Sequence, residues 1–273
     1  MDGAGDTNSS TQITRRVARL LAEGSTAALA TVVEAGASVG AKLLVESAGD
    51  ERTGTTGDAA LDDALAGYAR AFLASRAETK TLRVEEFAPA LETWRGARVM
   101  FERVEPEPRV VVCGAGHVGA ALARLAASIG YRVTLVDDRE EFVARSRFLE
   151  EEIELVAARE WAAPVTEAIG TGCGVYVAVV TRGHNEDEEC MRAVLAARPD
   201  YVGMIGSRRR TNIVLARLRE SGFDEELLRQ VRAPVGLDIG AVSPEEVALS
   251  ILAEIVAERR GGTCAPMSAW RRE

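Results

Sequence analysis

Two periodicities divide the chain. Up to about residue 105, amphipathic and alternating apolar runs predict a helix over 13–22 and strands at 27–33, 41–45, 79–84 and 97–104. A second helix carries Leu61, Leu65, Tyr68 and Phe72 on one face. The stretches 35–40 and 52–57, rich in glycine, serine and threonine, read as loops. From residue 109 onward, short apolar runs at 109–113, 132–136, 153–157, 175–180 and 201–205 alternate with helical segments. That alternation predicts a parallel sheet covered on both faces. Pro106 and Pro108, with Glu107 between them, mark a stiff linker. The fold class is therefore α/β, with a parallel-sheet domain over 106–260 preceded by a smaller α+β domain over 12–105. The polar stretch 1–11 is expected to be a disordered tail, and 261–273 a second tail. Ser243-Pro244-Glu245-Glu246 is a capping box with proline at the first helical position, opening a helix that runs to about 258.

The chemistry concentrates where apolar runs end. Val110-Val111-Val112-Cys113 leads into Gly114-Ala115-Gly116-His117-Val118-Gly119, an alanine-rich helical segment, and a second strand ending in Asp137-Asp138. In this strand–turn–helix–strand–acid order the first glycine permits the turn, the second admits a phosphate, and the third lets the helix pack. The helix N-terminus offers free N–H groups and a positive dipole end to an anion. The domain is accordingly Rossmann-like, and the loop is expected to bind a nucleotide or another phosphate-bearing cofactor. Asp137 is suited to a ribose diol, although the adjacent Arg139 weakens the discrimination between unphosphorylated and 2′-phosphorylated ribose.

Two further clusters follow strands at the same sheet edge. In Thr181-Arg182-Gly183-His184, followed by Asp187, Arg182 could engage a phosphate and His184 exchange a proton near neutrality. In Gly206-Ser207-Arg208-Arg209-Arg210, Ser207 caps a helix and the arginines, set against the dipole preference, point to an anion. The candidate cofactor-binding set is Gly114, Gly116, His117, Gly119, Asp137, Asp138, Thr181, Arg182, His184, Ser207, Arg208 and Arg209.

Composition narrows the classes. The 273 residues suffice for two domains, and 47% hydrophobic with 27% charged residues describes a soluble globular protein. A net charge of −9 argues against nucleic-acid binding. No apolar run reaches ~18 residues, so no membrane span is expected. The N-terminus lacks a signal-peptide layout, and the scattered Cys113, Cys173, Cys190 and Cys264 fit a reducing cytoplasm. No Cys-x-x-Cys pair occurs, and with only His117 and His184 no metal site is expected. No nucleophile elbow, Walker-type loop or zinc-protease motif is present, so the chain reads as a binder, not an enzyme. The residues alone leave two alternatives open. One is an NAD(P)-dependent oxidoreductase with His184 as acid–base group; the other is a regulatory module that senses a nucleotide. Sheet edges in the first domain make a symmetric homodimer the expected assembly. In such a dimer, Thr55 and Thr56 of the 52–57 loop would close the cofactor site.

Taken together, several stretches resemble the XdhC/CoxI family of xanthine dehydrogenase accessory proteins. They are 114–119, 136–139, 181–184, Tyr201-Val202-Gly203-Met204-Ile205-Gly206-Ser207-Arg208-Arg209, Pro234-Val235-Gly236-Leu237-Asp238-Ile239-Gly240 and 244–251. Residues 30–33 and 40–45 resemble the family's smaller N-terminal domain. The resemblance implies a maturation factor that binds molybdenum cofactor, as molybdopterin or in a dinucleotide form, and assists its insertion. The implied partners are an apo-hydroxylase of the xanthine dehydrogenase or carbon monoxide dehydrogenase type and a cysteine desulfurase. Two departures stand out. The family's Gly-Ser-x-Pro-Arg turn is replaced by Gly36-Ala37-Ser38-Val39-Gly40, and its Gly-Gly-Cys loop corresponds to Asp58-Ala59-Ala60, so the cysteine is missing. Any cofactor site here is expected to work without a thiolate ligand.

Overall fold

The computed structural model describes residues 4–268 apart from 37, 50 and 76. The chain divides into two units, Met1–Pro106 and Glu107–Glu273. The first is built from α1 (Ala4–Ala22), β1 (Ala27–Glu34), β2 (Lys42–Glu46), β3 (Arg52–Thr55), α2 (Ala59–Ala74), β4 (Thr79–Arg83), the one-turn α3 (Val84–Phe87) and β5 (Arg98–Val104). Its sheet is antiparallel in the order β3-β2-β1-β5-β4. Alternation along β1 sends Ala28, Ala30 and Val32 to the face covered by Leu61, Leu65 and Phe72 of α2. Ala27 goes to the opposite face, where Ile13 and Leu20 of α1 meet it.

Two expectations in this unit are corrected. Residues 4–11 are helical, not a disordered tail: α1 begins at Ala4, well before the expected start at Ile13. Buried Ile13 and Leu20 anchor the helix, and once nucleated it propagates through polar residues at one backbone bond per residue. Residues 1–3 of that tail, and 269–273 of the second, lie outside the described residues. The 52–57 loop contains an edge strand, β3, paired with β2. Its polar, glycine-containing sequence has no apolar alternation, so register with β2 supplied what local pattern could not. Thr55 and Thr56 spend their hydroxyls on Asp62, at 2.6 and 2.7 Å.

The second unit contains β6 (Arg109–Cys113), α4 (His117–Ser128), β7 (Arg132–Asp137), β8 (Ile153–Ala157), α5 (Ala162–Ile169), β9 (Val175–Val179), α6 (His184–Ala197), β10 (Tyr201–Met204), α7 (Arg208–Glu220), the short α8 (Glu225–Arg229) and α9 (Pro244–Arg260). All strand pairs are parallel, in the order β10-β9-β6-β7-β8. Helices α4 and α9 cover one face, with Leu122, Ala126, Ile251 and Ile255 buried against it. Helices α5, α6 and α7 cover the other, through residues such as Val165, Val194 and Val214. Burial on both faces explains why β9 is apolar at every position. The free edge of β10 is covered by the segment around Arg232, whose N–H donates to the Val202 carbonyl at 2.9 Å. Helix α9 opens on its capping box and stops at Gly261 in the left-handed region, at φ 69°.

Strand order fixes where a ligand can sit. The chain builds β6, β7 and β8 outward in one direction, then returns to place β9 on the other side of β6. The connections after β6 and β9 therefore leave on opposite faces, opening a crevice at the carboxyl ends of these two strands.

Candidate functional site

The three glycines of the β6–α4 loop have different reasons to be glycine. Gly114 sits at φ +115°, and a Cβ there would lie 2.6 Å from the Val180 carbonyl oxygen. A Cβ on Gly119 would lie 1.8 Å from the Gly114 carbonyl oxygen. The fold itself demands both. Gly116 has an ordinary φ of −65°, and a Cβ there would meet nothing within 4 Å. Among the described residues none requires glycine at this position, and the space beside it is open. Gly116 is also the N-cap of α4 and gives it no side-chain cap. The first-turn N–H groups of α4 thus lack the usual side-chain acceptor. His117, the first helical residue, is exposed.

Across the crevice, α6 also starts at a glycine, but with an acid beside it: a Cβ on Gly183 would run into the Glu186 carboxylate, where Gly116 faces open space. Its N-cap is Gly183, again without a side-chain cap, and His184 is its exposed first residue. The preceding loop is held from beneath by Asp187, which is fully buried. The Thr181 hydroxyl donates to one Asp187 oxygen, and Arg210 Nε donates to the other at 2.6 Å. Arg210 also reaches the Thr181 carbonyl at 3.2 Å. Burial pushes the Asp187 carboxyl above its ordinary value, outweighing the hydrogen bonds from Thr181 and Arg210 that favour its charged form. Helix α7 differs, because Ser207 caps it by accepting from the Arg210 N–H at 3.2 Å. Arg208 and Arg209 are exposed and form no ion pair among the described residues.

A chain of charges crosses the crevice mouth. Asp137, at the end of β7, is 1% exposed. Its Oδ2 accepts from the Ala115 N–H at 2.6 Å and from Arg139 Nη2 at 2.9 Å. Its Oδ1 accepts from the Arg139 N–H at 2.9 Å and Nε at 2.8 Å. Burial opposes its ionisation, but the bonds from Arg139 and Ala115 together hold the carboxyl below its ordinary value. Asp138 accepts a two-pronged pair from Arg182, at 2.9 and 2.7 Å. That pair links the ends of β7 and β9 past the intervening β6, and it raises the Arg182 guanidinium further above its ordinary value.

The structure therefore brings the predicted residues of the 114–119, 137–138 and 181–184 clusters to one crevice. Arg208 and Arg209 stand after β10, one strand further out. Arg139 and Arg210 were outside the predicted set, yet they organise it. Both lie in the quoted clusters, but sequence order could not tell which arginine faces inward. Two of the thiols, Cys113 and Cys190, are buried in the sheet–helix core, where burial and mutual contact raise the Cys190 thiol. Among the described residues no group of three or more His, Cys, Asp or Glu is placed to hold a metal ion. No helix among them is long and apolar enough to cross a membrane.

In the first unit, a recess of about 670 Å³ is lined by Gly36, Asp58, Trp94 and Arg95 among others. It brings together Gly36 and Asp58, from the two stretches expected to depart from the family pattern, with Ala37 itself outside the described residues. Asp58 caps α2 there, accepting from the N–H groups of Ala60 and Leu61 at 2.9 and 3.2 Å and from Trp94 Nε1 at 2.8 Å.

Comparison with known proteins bears on both units. A family model described as the XdhC Rossmann domain matches residues 110–255, and one described as the XdhC and CoxI family matches residues 20–85. An uncharacterised protein of Escherichia coli K12, YqeB, is 36% identical over 162 residues, 59% of this chain and 29% of its own length. A Bacillus subtilis 168 protein described as a probable xanthine dehydrogenase subunit is 30% identical over 162 residues, 59% of this chain and 46% of its own length. The molybdenum cofactor insertion chaperone PaoD of Escherichia coli K12 is 35% identical over 88 residues, 31% of this chain and 28% of its own length. The matched segments thus span less than half of these relatives. A crystal structure described as a xanthine dehydrogenase from Bacillus halodurans superposes with a TM-score of 0.63 at 19% identity, covering 94% of this chain and 70% of that one, and shares its fold. With the Rossmann model covering more than half its length and the second model matching its first unit, the chain belongs to the XdhC and CoxI family.

Proposed function

We propose that this protein is an accessory factor that holds molybdenum cofactor by its phosphate and hands it to an apo-hydroxylase of the xanthine dehydrogenase type. The observation that carries the reading is helix α4, which opens on the β6/β9 crevice without a side-chain cap and without an acid in its first turn. Open space at Gly116, which no internal contact explains, is where a phosphate oxygen would approach the α4 backbone. This donor set fits a phosphate monoester. The relatives named as a molybdenum cofactor insertion chaperone and as part of a xanthine dehydrogenase support cofactor delivery. In the proposed complex, N–H groups after Gly116 bind the phosphate, and His117 and His184 flank it. Arg208 and Arg209 supply positive potential nearby. The cofactor is cargo, and the chain's residues bind and orient it without performing a bond-making step.

The test is to purify the protein from a host that makes the cofactor and oxidise the preparation to a fluorescent pterin. A stoichiometric pterin signal that falls in Gly116→Val is expected. A folded wild-type protein carrying no pterin from such a host overturns the reading. Transfer is tested separately, by reconstituting an apo-hydroxylase with and without the loaded protein.

A further inference from the structure

In a Rossmann-like domain the acid that ends the second strand binds the ribose diol of a dinucleotide, one hydroxyl to each carboxylate oxygen. Here that acid is Asp137, and its oxygens are already matched in this way. The Arg139 guanidinium donates Nε to Oδ1 at 2.8 Å and Nη2 to Oδ2 at 2.9 Å. The remaining demand is met by the backbone N–H groups of Arg139 and Ala115. A planar fork of two parallel N–H donors occupies the places two hydroxyls would take.

The fork is held from its other face as well. The Arg139 guanidinium lies over the Phe142 ring with its carbon 3.5 Å from the ring centre. Arg147 approaches the same ring at 4.7 Å. The burial of Asp137 keeps water from replacing the fork cheaply.

We propose that Arg139 is a specificity residue: by filling both oxygens of Asp137 as a ribose diol would, it reserves the Gly114–Gly119 loop for a phosphate ligand that brings no ribose to the end of β7. The same geometry disfavours a 2′-phosphorylated ribose. Of the five guanidinium N–H donors of Arg139, Nε–H and one on Nη2 are spent on Asp137, and the Asp138 carboxylate, 3.8 Å from Nε, would repel a phosphate brought there. The proposal deepens the reading of this crevice as a phosphate site and rests on it, but it concerns nucleotides, which allows the two to fail separately.

Calorimetric titration of the whole chain with NADH and with NADPH, for wild type, Arg139→Ala and Arg139→Met, tests it. The methionine variant keeps an apolar stem over Phe142 and guards against loss of folding in the alanine variant. Wild type is expected to bind neither dinucleotide measurably. Arg139→Met should gain at least tenfold in NADH affinity, and adding Asp137→Asn should abolish the gain. Wild-type binding of either dinucleotide, weakened when Arg139 is removed, overturns the proposal. So does a folded Arg139→Met protein that still refuses NADH, and in that case pterin retention would leave the cofactor reading standing. A variant that gains NADH while wild type carries no pterin would support the role of Arg139 and sink the cofactor reading alone.

Discussion

Helices α2 and α4 begin in opposite ways, and the proposed anion site rests on the contrast. At α2, Asp58 turns its carboxylate onto two first-turn N–H groups and a tryptophan N–H, and these bonds, the one from Trp94 foremost, pull its pKa down. That helix end is finished by its own side chain, and an incoming anion would meet a negative charge. At α4 the N-cap is Gly116, which has no side chain, and the nearby acid Asp137 is turned inward onto Ala115 and Arg139. The same backbone chemistry is closed in one unit and left open in the other. A helix N-terminus is open to an anion where the sequence withholds the cap and turns neighbouring carboxylates away.

Four experiments press on that contrast, beginning with the largest effect. Gly119→Ala forces a Cβ into the Gly114 carbonyl, so the loop must move; stability should fall by about 3 kcal/mol or more, read by chemical denaturation. Wild-type stability in this variant would mean that the loop is slack, and that the open end of α4 is not a fixed geometry. Asp137→Asn removes the charge that anchors Ala115 and should cost about 2 kcal/mol at neutral pH. Because the Asp137 carboxyl is held below its unfolded value of about 3.9, its contribution is present above that pH and is lost as pH falls through the folded value. The gap between wild type and Asp137→Asn should therefore narrow below about pH 4, and a gap that widens there would contradict the assignment.

Gly116→Val should leave stability within about 0.5 kcal/mol, since its side chain enters open space. Retained pterin should nonetheless fall at least roughly tenfold, about 1.4 kcal/mol. Full retention would move the ligand away from α4. The smallest effect is expected from Asp58→Ala, which uncaps α2. Thermal unfolding should register a modest loss, and pterin content should not change. A loss of pterin there would shift attention to the recess around Trp94.

Much of this was legible in the sequence because it is local. Valine runs separated by helical segments fit buried parallel strands, and the glycine spacing at 114–119 encodes a turn whose close contacts are found at Gly114 and Gly119. The capping box at Ser243 formed as written, with Glu246 accepting from the Ser243 N–H at 2.9 Å. Strand β3 and the first turns of α1 were not legible, because neither carries an apolar period. One is specified by its neighbour β2 and the other by propagation from Ile13 and Leu20.

What the chain determined by itself was therefore periodicity, turns and caps, interactions closed within a few residues. What only the tertiary structure decided was how the charges divide. Arg182 reaches Asp138, 44 positions away in sequence, while Arg210 turns back to buried Asp187 and Arg208 and Arg209 remain in solvent. Five arginines and three aspartates in these clusters admit many pairings of similar local propensity. The choice among them falls to burial, because a carboxylate sealed from water, as Asp137 and Asp187 are, must take whichever donors the packed sheet and helices bring within reach.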